Sequence, residues 1–197
     1  FAGQISKMIP SSFYRSFLKY FIGVFNRNLE HSLTEEEKLE IYGVSQVASP
    51  EFDYVGTPYQ RMMNYHGAHD IGHALQNLAL VGCSSFATWN DKSQDSVLLA
   101  GRNFDFFVGD KFAEDKLVLF CNPTKGYKFM YITWGGFTGV VSGMNIQGLS
   151  ITLNASKSSI PTGSATPVSL IGREILQYAK NIEEAIKIAK TKKSFVA

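Results

Sequence analysis

Three observations predict an α+β fold for this 197-residue chain. Helical signals fill the first 80 residues, short segments rich in β-branched and aromatic residues run from Ser84 to about residue 155, and helical periodicity returns over 168–180 and 182–191.

The elements follow in chain order. Pro10-Ser11-Ser12 opens a helix in which Phe13, Phe17, Phe21 and Phe25 recur at i+4, the spacing of one helix face. Arg15 and Lys19 interrupt that stretch, which is far shorter than the roughly 18 apolar residues of a membrane span. An amphipathic helix packed on its own protein is expected there. Thr34 and Glu37 have the spacing of a capping box and start a second helix that ends near Pro50. Beyond the loop "SPEFDYVGTP", a third helix is expected over "YQRMMNY" and a fourth over "HDIGHALQNLAL".

From Ser84 the period changes. "SSFATW", "SVLLAGRNFDF", "KLVLFCN", "YKFMYITW", "TGVVSGM" and "LSITLNA" read as strands, with "NDKSQD", "NPTKG", "GGF" and "NIQG" as turns between them. A meander of antiparallel strands with at least one buried face is expected. The loop "SKSSIPTGSATP" then leads into the last two helices, and "SFVA" looks like the start of another strand. A sheet covered by helices on one face needs cover on the other, so a C-terminal part of the fold is expected outside this chain.

Composition narrows the function classes. A net charge of +2 makes no case for nucleic acid or a polyacid partner. Two cysteines, Cys83 and Cys121, are too few for a disulfide framework and leave the compartment open. The chain starts at Phe1, so any leader is expected to be already removed and the location is left open, a periplasmic or secreted one being compatible. Walker, GxSxG, GxGxxG and HExxH patterns are all missing from the sequence. His66, His69 and His73 would share one face of a continuous helix, but Gly67 and Gly72 interrupt it, with no carboxylate or cysteine at a zinc spacing. Capping or hydrogen-bonding roles are expected for them, with no metal and no cofactor.

The segment "LALVGCSSFATWN" puts Cys83 where an apolar run turns polar. All four histidines (His31, His66, His69 and His73) precede Cys83, which excludes the papain-type order of cysteine followed by histidine. A buried cysteine is ordinarily inert packing. A cut between Gly82 and Cys83 would instead give Cys83 a free α-amine, a group that ordinarily titrates near about 7.7–8.0 and can serve as the base for its own thiol. Gly82, without a Cβ, suits the strained backbone of an internal acyl shift. Further on, "LLAGRNFDF" places Arg102 and Asp105 on one strand. Side chains at i and i+3 of a regular strand point to opposite faces, so both reach one site only at a strand end or bulge. Asn154 closes another strand. As bare residues, Arg102 with Asp105 also reads as a structural ion pair, and Asn154 as a turn residue.

"GCSSF", "GRNFDF" and "GMNIQGLSITLNA", in that order over residues 82 to about 155, resemble the N-terminal-nucleophile hydrolases. The closest likeness is to the penicillin acyltransferase-like family, with choloylglycine (bile salt) hydrolases and acid amidases further away. The resemblance implies a four-layer αββα sandwich, only partly contained in this chain. It divides the chain into a helical propeptide, 1–82, and the N-terminal part of the sandwich, 83–197. By the same resemblance Cys83 is nucleophile in self-cleavage and turnover, Asp105 holds its amine, Arg102 sits by the thiolate, and Asn154 joins an oxyanion hole. The reaction implied is acyl transfer from a small-molecule amide through a Cys83 thioester to water or another amine. No nucleic acid and no membrane span are expected, a homo-oligomer is compatible, and the missing C-terminal part is expected to be required. The alternative is a scaffold that keeps Gly82–Cys83 intact and acts as a binding or structural module.

Overall fold

The structure is a computed structural model that describes residues 10–74, 81–106, 110–154 and 164–194. Helix α1 (Ser12–Phe25) starts where the Ser11 side chain accepts a hydrogen bond from the Tyr14 N–H. After a short 3-10 turn, helix α2 (Glu35–Ser45) opens on the expected capping box, with Thr34 and Glu37 each bonding the other's backbone N–H. Helix α3 runs unbroken over Pro58–Ala74, so the two helices expected on either side of residue 67 are one. Gly67 does not break it because it serves packing. A Cβ there would stand 2.9 Å from the side-chain amide of Asn26, the residue that ends α1. Leu29, Ile41 and Leu170 are fully buried together with Met63, each large side chain contributing about 1.5–3 kcal/mol on burial.

The expected packing of α1 is overturned. Phe25 reaches that core, but Phe17 and Phe21 are 55% and 44% exposed, because the helix turns Ser16, Asn26 and both its cations toward α3 instead.

The strands form two sheets rather than one meander. Strands β1 (Val81–Asn90) and β2 (Ser96–Phe106) make an antiparallel pair, and β1 starts three residues before the expected Ser84. Strands β3 (Lys116–Cys121), β4 (Phe129–Trp134), β5 (Ser142–Asn145) and β6 (Ser150–Thr152) form an antiparallel sheet in chain order. The segment between β2 and β3 changes sheet, so the pattern of alternating strands and turns could not distinguish one sheet from two.

Parity along β4 fixes the layers. Phe129, Tyr131 and Thr133 are buried on one face, where Leu176 of helix α4 (Val168–Tyr178) packs. Helix α5 (Ile182–Thr191) lies against α4. Trp134 points to the opposite face and stacks on Phe104 of β2, at 5.7 Å between ring centres. The layer order is therefore helices, four-stranded sheet, two-stranded sheet. Apolar side chains of β3 and of the β1–β2 pair, Phe120 and Phe86 among them, remain exposed.

Polar contacts dock the helices before β1 onto this assembly. Glu40 of α2 forms a two-pronged ion pair with buried Arg173 of α4, and Glu36 accepts from Gln177 and Tyr178. Asp70 of α3, fully buried, accepts the N–H of Val168 at 2.8 Å. That N–H opens α4 behind Pro167, which has no side-chain acceptor to offer it. No described helix is long and apolar enough to cross a membrane. Ser194 makes an isolated parallel bridge to Thr166; the rest of the expected strand start "SFVA" lies outside the described residues.

Candidate active site

Register decides which side chains meet. Cys83 pairs with Phe104 and Ser85 with Arg102, so these four share one face of the β1–β2 pair. Gly82 pairs with Asp105 and Ser84 with Asn103 on the other face, where the Asn103 amide donates to Ser84 at 3.3 Å. The strand stays regular between Arg102 and Asp105, and its register shift lies at Thr88/Asn90. Asp105 therefore points away from the Cys83 face and stands opposite Gly82. Gly101, in the same motif, leaves room for Phe86, whose ring would lie 2.4 Å from a Cβ there.

Arg102 joins the two sheets. Its Nη2 donates to the Cys83 thiol sulfur at 3.4 Å and to the carbonyl of Leu153, which follows β6. Its Nη1 donates to Ser142 Oγ on β5 at 3.1 Å. The guanidinium lies over the Phe104 ring at 4.5 Å, and its Nε is buried without a hydrogen-bond partner among the described residues. Burial pulls the guanidinium below its ordinary value, and attraction to Cys83, the hydrogen bond to it and the charge of Asp105 work the other way. Asn154 extends an exposed amide to Ser85 Oγ and Thr152 Oγ1, both at 3.4 Å, the long end of hydrogen-bond range. Arg102, Cys83, Ser85 and Asn154 thus gather at one end of the gap between the sheets, while Asp105 stands on the other face of β2.

A ring stack continues from this site. Phe104 stacks on Trp134, Trp134 on Phe137 at 4.5 Å, and Phe137 on His66 at 4.8 Å. His66 is fully buried in α3; its Nδ1–H donates to the Met62 carbonyl and its Nε2 accepts the N–H of Thr138 at 3.0 Å. This is the hydrogen-bonding role expected for it; the side chains of His69 and His73 lie outside the described residues. Among the described residues, no cluster of three histidine, cysteine or acidic side chains could hold a metal ion.

Sequence reasoning missed Ser85, Ser142 and the Leu153 carbonyl. Ser85 was reachable, since a side chain two residues after Cys83 in a strand shares its face. Nothing in the sequence marked Ser142 or Leu153, because the stacking of the two sheets brings them in.

The architecture is that of an α+β protein with an arginine-bridged cysteine between two sheets. Residues 89–195, more than half of the chain, match the family described as "Acyl-coenzyme A:6-aminopenicillanic acid acyl-transferase", part of the Ntn-hydrolase-like penicillin acyltransferases. The chain belongs to this family. The matched range contains Arg102, Asp105 and Asn154 and begins after Cys83. An uncharacterized protein of Archaeoglobus fulgidus is 29% identical over 122 residues, which are 61% of this chain and 20% of that protein. The chain thus spans about a fifth of that relative's length. No solved structure matches the chain.

Proposed function

We propose that this protein is a self-processing cysteine amidohydrolase or acyltransferase whose nucleophile is Cys83. The observation that carries the reading is the 3.4 Å contact between Arg102 Nη2 and Cys83 Sγ, made by a half-buried guanidinium that the neighbouring sheet holds in place. That hydrogen bond fixes the sulfur proposed to attack beside a cation held by both sheets.

In processing, the Cys83 sulfur attacks the Gly82 carbonyl carbon, and the peptide bond breaks as its nitrogen takes a proton and becomes the Cys83 α-amine. Water then cleaves the Gly82 thioester, releasing a Gly82 carboxylate and a free thiol. Asp105 is given the role of holding the new ammonium group, a reading supported by its pairing with Gly82 across the strands. In turnover the thiolate attacks an amide carbonyl of a small molecule, and the amine shuttles the thiol proton to the leaving nitrogen. Water or another amine takes the acyl group from the thioester. Asn154 donates to the oxyanion, with backbone N–H groups completing the hole. Residues 1–82 act as propeptide and 83–197 as the start of an αββα sandwich. The exposed apolar faces of β3 and the β1–β2 pair support a sandwich that continues beyond these residues.

Mass spectrometry of the purified protein tests the reading. A fragment starting at Cys83 is expected, and Cys83→Ala abolishes it. Persistent intact chain with a thiol inert to electrophiles would sink it. The second reading, a scaffold that is never cut, draws on the other bonds of Arg102, since Ser142 and Leu153 make it a structural tie between sheets. One band on a denaturing gel favours the scaffold, and two favour the enzyme.

A further inference from the structure

Three residues on one stripe of α3, Met62, His66 and Asp70 at i, i+4 and i+8, grip the layers that follow. Asp70 accepts the Val168 N–H. His66 Nε2 accepts the Thr138 N–H at 3.0 Å and lies 3.0 Å from the Thr138 hydroxyl. A Cβ on Gly136 would stand 3.1 Å from Met62 Sδ. Met62 and His66 thus close on the same turn, the one between β4 and β5.

That turn is soft by composition. Gly135 and Gly136 form its centre, with Gly136 at a φ of +87° that only glycine adopts freely. Within the turn, the Phe137 N–H donates to the Trp134 carbonyl at 3.2 Å and the Thr133 hydroxyl to the Phe137 carbonyl at 2.9 Å. The next N–H, that of buried Thr138, finds its acceptor on α3. Without His66 that donor would be buried and unpaired. The turn also carries the rings behind Cys83. Phe137 stacks on His66 at an interplanar angle of 10°, Trp134 on Phe137 at 18°, and Phe104 on Trp134 at 19°. Phe104 is the floor on which the Arg102 guanidinium lies, so its support reaches back to α3.

We infer that His66 is a positioning residue for the cut between Gly82 and Cys83. From upstream of the cut it pins Thr138, and through Phe137, Trp134 and Phe104 it sets the plane of Arg102 beside the thiol. This role rests on the reading of Cys83 as nucleophile. His66 touches none of the reacting atoms; it acts by holding the turn in place. A displacement of about 1 Å at a reacting centre costs about 10²-fold in rate, so a loosened turn should be visible in the kinetics.

Two variants of the full chain separate acceptor from ring. His66→Phe keeps a flat ring for Phe137 and offers Thr138 no acceptor, whereas His66→Gln keeps an acceptor oxygen. Under conditions where urea titration shows both folded, His66→Phe should slow appearance of the Cys83 fragment by about tenfold or more, with His66→Gln within about threefold of wild type. Hydrogen exchange read by mass spectrometry should quicken in His66→Phe at 134–138 and also in β2, by about tenfold, while α5 stays unchanged. Should His66→Phe not fold, Trp134→Leu carries the test, since it interrupts the stack, leaves the Thr138 bond and should slow the cut equally. The role is overturned if exchange quickens at the turn alone, or if the folded His66→Phe or Trp134→Leu chain is cut at the wild-type rate. A wild-type chain that is never cut sinks the processing reading instead, and exchange in β2 then decides whether His66 holds Phe104 in place.

Discussion

Arg102 reaches Cys83 diagonally across the β1–β2 pair and grips the Leu153 carbonyl with the same nitrogen. The contact to the thiol is thus fixed by the way the two sheets stack. Lysine can supply the charge at this position but not the fork that serves thiol, carbonyl and hydroxyl together. Arg102→Lys is expected to slow appearance of the Cys83 fragment by roughly 10–100-fold, the equivalent of one charged hydrogen bond. Cleavage at the wild-type rate would remove Arg102 from the reacting centre.

Asp105 gives a different signature, because it faces away from the thiol and stands opposite Gly82. Asp105→Asn should leave the fold and the cut intact and lower amide turnover by about tenfold or more, since its proposed partner exists only after the cut. Separate measurement of cleaved fraction and product release distinguishes the two steps. A block in cleavage itself would assign Asp105 an earlier role.

Asn154 is exposed and holds only long contacts to Ser85 and Thr152. Asn154→Ala should therefore change stability by less than about 0.5 kcal/mol. Turnover should nevertheless fall roughly 10²–10³-fold if the amide serves an oxyanion. Unaltered turnover in a normally cleaved variant would make it a turn residue.

Asp70 supplies the acceptor for the first N–H of α4. Asp70→Ala should cost about 0.5–2 kcal/mol in urea unfolding, and Asp70→Asn, which keeps an oxygen, distinctly less. Equal losses in both variants would show that charge matters more than the cap.

Glu37 provides a pH test. Burial holds its carboxyl above the ordinary value, with the two bonds from Thr34 opposing. A carboxyl raised in the folded state binds its proton more tightly there, so its contribution is greatest below the unfolded value and declines as pH rises toward the folded one. Glu37→Gln keeps an oxygen for Thr34 and removes the decline, so it should gain on wild type as pH rises through the window above the ordinary carboxylate value. A constant difference in urea midpoints across that window would contradict this.

Local structure is legible in the sequence and assembly is not. Thr34 with Glu37 announced α2 because a capping box is complete within four residues. The period-2 pattern around Arg102 and Asp105 announced that the two side chains diverge. Gly67 misled, since a glycine that admits Asn26 looks the same in sequence as one that ends a helix. The phenylalanines of α1 misled for a related reason: a stripe reports a face and not what covers it. Ser142 and the Leu153 carbonyl were invisible because stacking of two sheets, a property of the whole chain, places them beside Arg102.

The bond from Val168 to Asp70 gives assembly a direction. The instructions for starting α4 are divided between two sides of the Gly82–Cys83 junction, and the half that satisfies its first amide lies upstream. Under the proposed cut, the upstream helices would serve as a template for the layer that covers the four-stranded sheet. Were that segment severed and lost as proposed, a denatured remainder would lack its template, and its refolding yield should recover only when the helices are supplied again.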